Sequence, residues 1–255
     1  MILRRLGNKK KIAKEIQKYF PEHKIYIEPF FGAGGMFFNK PKAKYNIVND
    51  LDSDVFNLFQ VVMNQREELE KAFYMMPIHS DLLDYWKENQ EVDSIQKALR
   101  LLLISNFTYM GTGNVLRFGT DNTKHSFEKN IDKTFEIIKD VKFINKDFKS
   151  FFKTIMFSDS DVNPKDTLIY CDPPYINSAE DLYKCFTETD SNDLFDSLEE
   201  TKCKFAMSEF DHPFILDQAE KRCLNIIYIG ERQNLKNRRI EVLITNYKNN
   251  QQSLF

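Results

Sequence analysis

Asp172-Pro173-Pro174-Tyr175 follows a run, Thr167-Leu168-Ile169-Tyr170-Cys171, that reads as a buried strand. A carboxylate, two ring-locked residues and an aromatic face thus stand together where an apolar strand ends. Such a group can hold a flat ring that carries an amino group. The tyrosine offers a stacking face, while the Asp172 carboxylate and a main-chain carbonyl at Pro173 accept the two N–H bonds. An amine conjugated into a ring is a poor nucleophile. Two acceptors that draw its nitrogen toward a tetrahedral shape aim the lone pair at an incoming electrophile, which is a matter of positioning and electrostatics. Taken alone, the same four residues are equally compatible with a proline turn and a core tyrosine.

A second segment, Glu28-Pro29-Phe30-Phe31-Gly32-Ala33-Gly34-Gly35, follows a short strand at Ile25-Tyr26-Ile27. Gly32 and Gly34 let the backbone turn tightly and approach a ligand that a Cβ would block. Asp50 ends the next strand, Tyr45 to Val48, where an acidic side chain can accept from both hydroxyls of a ribose. A lone G-x-G is a weak signal; with Asp50 at the strand end it points to a nucleoside-bearing cofactor. The plain alternative is a glycine turn and a helix-capping aspartate. The turn lacks the spacing that packs a pyrophosphate, and Phe30 and Phe31 suit a cationic sulfonium through cation–π contact. S-adenosyl-L-methionine is therefore favoured over a nicotinamide dinucleotide.

Other elements must position these segments. Helical periods run from Lys10 to Phe20, from Asp52 or Ser53 to Met63, and around 66–75, 82–88 and 94–104. Further strands are expected at Val141–Ile144, Lys204–Ser208, Leu224–Ile229 and Glu241–Tyr247, with helices near 148–156, 192–198 and 213–220. Strands alternating with helices predict an α/β fold with a parallel-rich open sheet. The texture changes between about 65 and 140, so this block reads as an insert dividing a domain of residues 1–64 and 141–255. Within it, Gly111, Gly113 and Gly119 mark Asn106 to Gly119 as a loop or hairpin.

A chain of 255 residues, 42% hydrophobic and 29% charged, can bury a sizeable core, and most of its 23 phenylalanines are expected there. The net charge of −2 does not advertise nucleic-acid binding, but its distribution is uneven. Residues 1–48 carry +8, residues 147–220 carry −11 and residues 221–255 carry +5. Two basic ends can bind phosphate locally, or can simply be a solvated surface. Cys171, Cys185, Cys203 and Cys223 show no C-x-x-C pair and no zinc spacing, so reduced cysteines and no metal are expected. The start lacks a signal-peptide pattern and no window resembles a membrane span, which suggests a cytoplasmic protein.

Glu28–Gly35 with Asp172–Tyr175 resembles motifs I and IV of the Dam-like (D12 class, alpha group) DNA adenine-N6 methyltransferases, in that order and with an insert between. Arg4-Arg5-Leu6-Gly7-Asn8-Lys9 is similar to the family's N-terminal motif X, although many members carry an aromatic in place of Arg5 and Gly-Gly-Lys in place of Gly7-Asn8-Lys9. The resemblance implies a Rossmann-like sheet with a mainly helical target-recognition insert. It also implies methyl transfer from S-adenosyl-L-methionine to the N6 amine of an adenine flipped out of double-stranded DNA. Asp172, Pro173, Pro174 and Tyr175 would be the catalytic group. The cofactor would meet Arg5, Lys9, Glu28, Pro29, Phe30, Gly32, Gly34, Asp50, Leu51, Asp147, Phe148 and Asp172. Candidate DNA contacts are Tyr109, Arg117, Phe118 and Lys124 in the insert and Arg232, Arg238 and Arg239 before the last strand. The acidic run at Glu180, Asp181, Glu188, Asp190 and Asp193 is awkward beside DNA and is expected to move or face away. A monomer in a prokaryotic or phage-infected cell, with a cognate restriction endonuclease as a partner, completes the expectation.

Three other readings compete. An N4-cytosine or protein-glutamine methyltransferase would more often carry Ser or Asn in place of Asp172. A catalytically inactive DNA-binding protein would not need Lys9 and Asp172–Tyr175 intact. A nicotinamide oxidoreductase would need the missing pyrophosphate spacing.

Overall fold

A computed structural model of the chain describes residues 1–5, 7–117, 119, 122–155, 157, 163–176, 186–233 and 238–248. Strands β1 (Ile25–Glu28), β2 (Tyr45–Asn49), β3 (Lys142–Ile144), β4 (Thr167–Cys171), β5 (Lys204–Phe210), β6 (Asn225–Gln233) and β7 (Arg238–Thr245) form one sheet, in the order β3-β2-β1-β4-β5-β7-β6. The pairs β1–β2, β1–β4 and β4–β5 are parallel, while β7 is antiparallel to both β5 and β6. This is the parallel-rich α/β sheet expected from the alternation of elements. β1 and β4 are buried at every residue, which explains why their sequences are mostly apolar, apart from Glu28 and Thr167, and do not alternate.

The helices are α1 (Ala13–Gln17), α2 (Ser53–Asn64), α3 (Arg66–Met75), α4 (Ser80–Glu88), α5 (Ser94–Phe107), α6 (Thr123–Ile138), α7 (Phe148–Phe152), α8 (Glu188–Glu200) and α9 (Pro213–Lys221). The sequence reading gave no helix at 123–138. The signal was present in the buried positions Phe127, Ile131, Thr134 and Ile138, but polar residues dominate the rest of α6.

The chain divides into two compact units. One comprises Met1–Lys11, Gly32–Asn39 and Asp50–Asn145; the other comprises Ile12–Phe31, Lys40–Asn49 and Lys146–Phe255. The first is mainly helical and takes in α2 and the N-terminal segment as well as residues 65–140. Local bonds explain why. The Arg100 guanidinium on α5 meets Asp54 on α2 at 2.8 Å, and Asn57 Nδ2 donates to the Ser94 carbonyl at 2.8 Å. Asn106 Nδ2 donates to the Ile2 carbonyl at 2.9 Å while its Oδ1 accepts the Arg4 N–H at 3.1 Å. Phe73 packs against Phe127 and Phe107, with ring centroids 4.1 and 5.9 Å away. The second unit contains every strand but β3, together with α1, α7, α8 and α9. Among the described residues, no helix is long and apolar enough to cross a membrane.

Candidate active site

In the second unit, β1 and β4 run parallel with Ile25, Tyr26 and Ile27 paired to Thr167, Leu168 and Ile169. Their carboxyl ends therefore emerge side by side, and Glu28-Pro29-Phe30 leaves the sheet next to Asp172-Pro173. The strand order reverses between these two strands, with β2 and β3 on one side and β5 on the other. Open α/β sheets form their ligand crevice at such a point, where neighbouring loops diverge. Glu28–Phe30 and Asp172–Pro173, both expected to serve the chemistry, are thus brought together by backbone pairing alone.

The loop after β4 is held by carboxylates. The Tyr175 hydroxyl donates to Glu241 Oε1 on β7 at 2.9 Å and lies 3.2 Å from Asp172 Oδ1. The Ile176 N–H donates to Glu209 Oε1 on β5 at 3.1 Å. Glu209 and Glu241 are both buried, while Asp172 and Tyr175 are half-buried. Burial, together with the charges of Asp172, Glu241 and Glu209, pushes the Tyr175 phenol well above its ordinary range. Its ring meets the edge of Phe210 at 4.5 Å, and the Arg239 guanidinium lies 5.5 Å from the Phe210 ring. Pro173 is buried, consistent with a loop whose shape is fixed by its prolines.

At the end of β1, Glu28 is buried and accepts the Tyr26 hydroxyl at 2.8 Å. Phe30 packs near Phe148 and Phe186, with centroids 5.8 and 6.3 Å away, so three rings cluster beside the strand end. Asn49, at the end of β2, is buried and ties three segments together. Its Nδ2 donates to the Pro29 and Lys146 carbonyls, each at 2.9 Å, and its Oδ1 accepts the Lys146 N–H at 3.0 Å. Asp147 is exposed and caps α7 by accepting the Ser150 N–H at 3.0 Å; the Ser150 contacts hold its carboxyl below the usual range.

The chain continues into the other unit at Phe31–Gly32 and at Asn49–Asp50. There the Gly32 N–H donates to Asp50 Oδ2, and Asp50 Oδ1 accepts the Asp52 N–H at 2.9 Å. Gly32 has φ 53°, a left-handed conformation that disfavours side chains, and the space where a Cβ would sit is open. Burial raises the Asp50 carboxyl, opposed first by the charge of Arg5. Arg5 itself pairs with Asp52. Lys9 is buried in a short 3₁₀ turn at Lys9–Lys11. A Cβ on Gly35 would stand 2.0 Å from Asn8 Oδ1 and 3.0 Å from the Lys9 nitrogen. Only glycine lets this N-terminal turn lie on the glycine-rich segment. Leu51 is 71% exposed.

The expected DNA contacts fall in both units. Residues 107–117 form a hairpin-like loop, bridged at Thr108 and Leu116, with Tyr109 62% exposed beside the bridge, where its N–H donates to the Val115 carbonyl at 2.8 Å. Arg117 is half-buried, and its Nε donates to the Asn106 carbonyl at 3.1 Å. Lys124 donates to the carbonyls of Tyr74 and Met76, both at 2.6 Å, and so caps the end of α3. Phe118 lies outside the described residues, as do Glu180, Asp181 and the side chains of Arg232 and Arg238. The rest of the acidic run is on α8. Asp190 closes a capping box with Thr187, and Asp193 pairs with Lys149, which accounts for these acids as local structure.

The pattern that defines the D12 class N6 adenine-specific DNA methyltransferases matches residues 6–244. The chain belongs to that family. Its similarity to named members is more limited. It is 29% identical to the DNA adenine methylase of Haemophilus influenzae over 184 residues, which covers 66% of this chain and 61% of that protein. The DNA adenine methylase of Escherichia coli K12 is 26% identical over 176 residues, with 66% and 62% covered. The match thus spans about three fifths of each relative's own length. Among solved structures, an rRNA methylase from Streptococcus thermophilus aligns over 97% of this chain and 99% of its own, at 7% identity and a TM-score of 0.44.

Four residues of this region were not found from the sequence: Asn49, Phe186, Glu209 and Glu241. Asn49 stands beside Asp50 and is readable only as part of a strand end. The other three are distant in sequence from the motifs they touch, and only the packing of β5, β7 and the segment before α8 brings them in.

Proposed function

We propose that this protein transfers a methyl group from S-adenosyl-L-methionine to the N6 amine of an adenine in double-stranded DNA. The observation that carries the reading is the paired emergence of Glu28–Phe30 and Asp172–Tyr175 from adjacent strand ends at the reversal of the sheet. Membership in the adenine-specific family supports the choice of base.

Each unit, taken by itself, offers groups that suit the cofactor. Asp50 accepts two backbone N–H groups, and a carboxylate has further lone pairs for ribose hydroxyls. Gly32 leaves open space where a side chain would block a ligand. The Phe30, Phe148 and Phe186 cluster offers faces and edges to a flat ring or a cation. When bound, S-adenosyl-L-methionine supplies an activated methyl on a sulfonium. Arg5 and Asp52 hold the acidic segment after Asp50, and Lys9 supplies positive charge for the carboxylate of the methionine part. Pro29, Gly34, Leu51 and Asp147 complete the proposed contacts.

Asp172 and the Pro173 carbonyl accept the two N–H bonds of the target amine, and Tyr175 borders its ring. A base inside a duplex cannot reach these groups, so it must leave the stack. We assign target reading to the helical insert, with Tyr109 at the exposed loop and Arg117 at its base. From the second basic group we assign Arg239, whose guanidinium lies 5.5 Å from the Phe210 ring, to a DNA contact. Lys124 serves α3 first, and any phosphate contact by it is secondary to that cap.

The test is incubation of the full chain with labelled cofactor and duplex DNA, followed by nucleoside analysis. N6-methyladenine is expected. N4-methylcytosine, or cofactor binding with no transfer to any duplex, would overturn the assignment. Single-molecule sequencing of DNA from cells expressing the protein would then give the site, and methylation without any paired nuclease gene product would dispose of the restriction partner.

A further inference from the structure

Glu241 is buried at 0% exposure, yet nothing in the proposed chemistry uses it. It lies on β7, opposite Phe210 in the pairing with β5. On its other side β6 is irregular: the register shifts between Tyr228 and Gly230, and Gly230 pairs with Glu241. The Glu241 side chain meets the Tyr175 hydroxyl at 2.9 Å.

That hydroxyl has a single proton and two carboxylate neighbours. Glu241 Oε1 stands at 2.9 Å and Asp172 Oδ1 at 3.2 Å. A proton given to one is withheld from the other. We infer that Glu241 is a positioning residue for methyl transfer, which takes the Tyr175 proton and thereby keeps it off Asp172. A carboxylate already receiving a phenol proton is a weaker acceptor for an amine N–H, because the added bond draws charge from the oxygens. With Glu241 in place, Tyr175 anchors its ring without weakening Asp172. Glu209 helps by fixing the next backbone N–H, at Ile176. This inference rests on the reading that Asp172 accepts from the target amine.

Glu241→Gln keeps the size of the side chain and removes its charge. The proton of Tyr175 should then turn to the charged Asp172. The single-turnover methylation rate is expected to fall about tenfold, as for loss of one charge-assisted hydrogen bond, with cofactor and duplex dissociation constants within about twofold of wild type. Tyr175→Phe should cost about threefold, because the ring loses its anchor. The decisive variant is the double one. With no hydroxyl to misdirect, Glu241→Gln in the Tyr175→Phe background should be no slower than Tyr175→Phe alone, so the second substitution rescues the first. A double variant as slow as Glu241→Gln, or slower, overturns the inference, as does a Glu241→Gln enzyme with the wild-type rate. Should Glu241→Gln fail to fold, Glu241→Asp withdraws the carboxylate by one methylene, and the same rescue by Tyr175→Phe is required. Wild-type protein that transfers no methyl to adenine would refute the underlying reading itself, and this inference with it.

Discussion

Replacing Asn49 by alanine tests whether the tie between the segments at Pro29 and Lys146 depends on one side chain. Three hydrogen bonds disappear: two from Nδ2, to Pro29 and Lys146 carbonyls, and one into Oδ1 from the Lys146 N–H. They are unequal. Pro29 is buried, so its carbonyl is left without a donor and costs about 2 kcal/mol. Lys146 is exposed, water can replace the bonds to its backbone, and each is worth only about 0.5 kcal/mol. The sum is about 3 kcal/mol, a large share of the roughly 5–15 kcal/mol that stabilises a typical domain. Asn49→Asp should do no better at neutral pH. It keeps an acceptor for the Lys146 N–H but sets a carboxylate oxygen against two carbonyl oxygens. Urea denaturation followed by circular dichroism measures both variants, with an unchanged slope confirming that the transition is the same one. A loss below about 1 kcal/mol for Asn49→Ala would show that water fills the site and that the side chain is no staple.

Other expectations follow from single features. Asp172→Ala should lower turnover by at least about a thousandfold while melting within a few degrees of wild type; near-normal turnover removes its assigned role. Gly35→Ala forces Asn8 aside and breaks the 2.8 Å bond from the Lys10 N–H to its Oδ1, so S-adenosylmethionine affinity by calorimetry should fall about tenfold. Unchanged affinity would detach the N-terminal turn from the cofactor. Lys40 lies 4.1 Å from the Tyr26 ring centroid, and burial lowers its ammonium to about 8 from 10.5, partly opposed by Glu28. Between those values the unfolded chain holds a proton that the folded one has released, so stability should rise with pH through that window. Lys40→Met should flatten the rise, and an identical pH dependence in both proteins would contradict the shift.

The local sequence determined a good deal. Apolar runs such as Thr167–Cys171 specified central strands, because a strand buried on both faces admits few polar residues. Glycine at 32 and 35, and proline at 173 and 174, recorded backbone shapes and close approaches that other residues resist. Asp52 announced the start of α2 through a cap that is local by nature, whereas the caps at Asp147 and Thr187 emerged only with the structure. The family pattern was legible for the same reason, being made of short segments at strand ends.

What only tertiary structure decided lies across the sheet. The order β1-β4-β5-β7 sets Glu241 beside Tyr175, 66 residues away, and no spacing rule anticipates that distance. Lys124, a surface cation by its sequence, became the cap of α3 because two unsatisfied carbonyls happened to face it. Strand pairing and burial are long-range, and a buried polar group must find whatever partner the packing supplies. The sequence names the candidate groups; the fold chooses their neighbours.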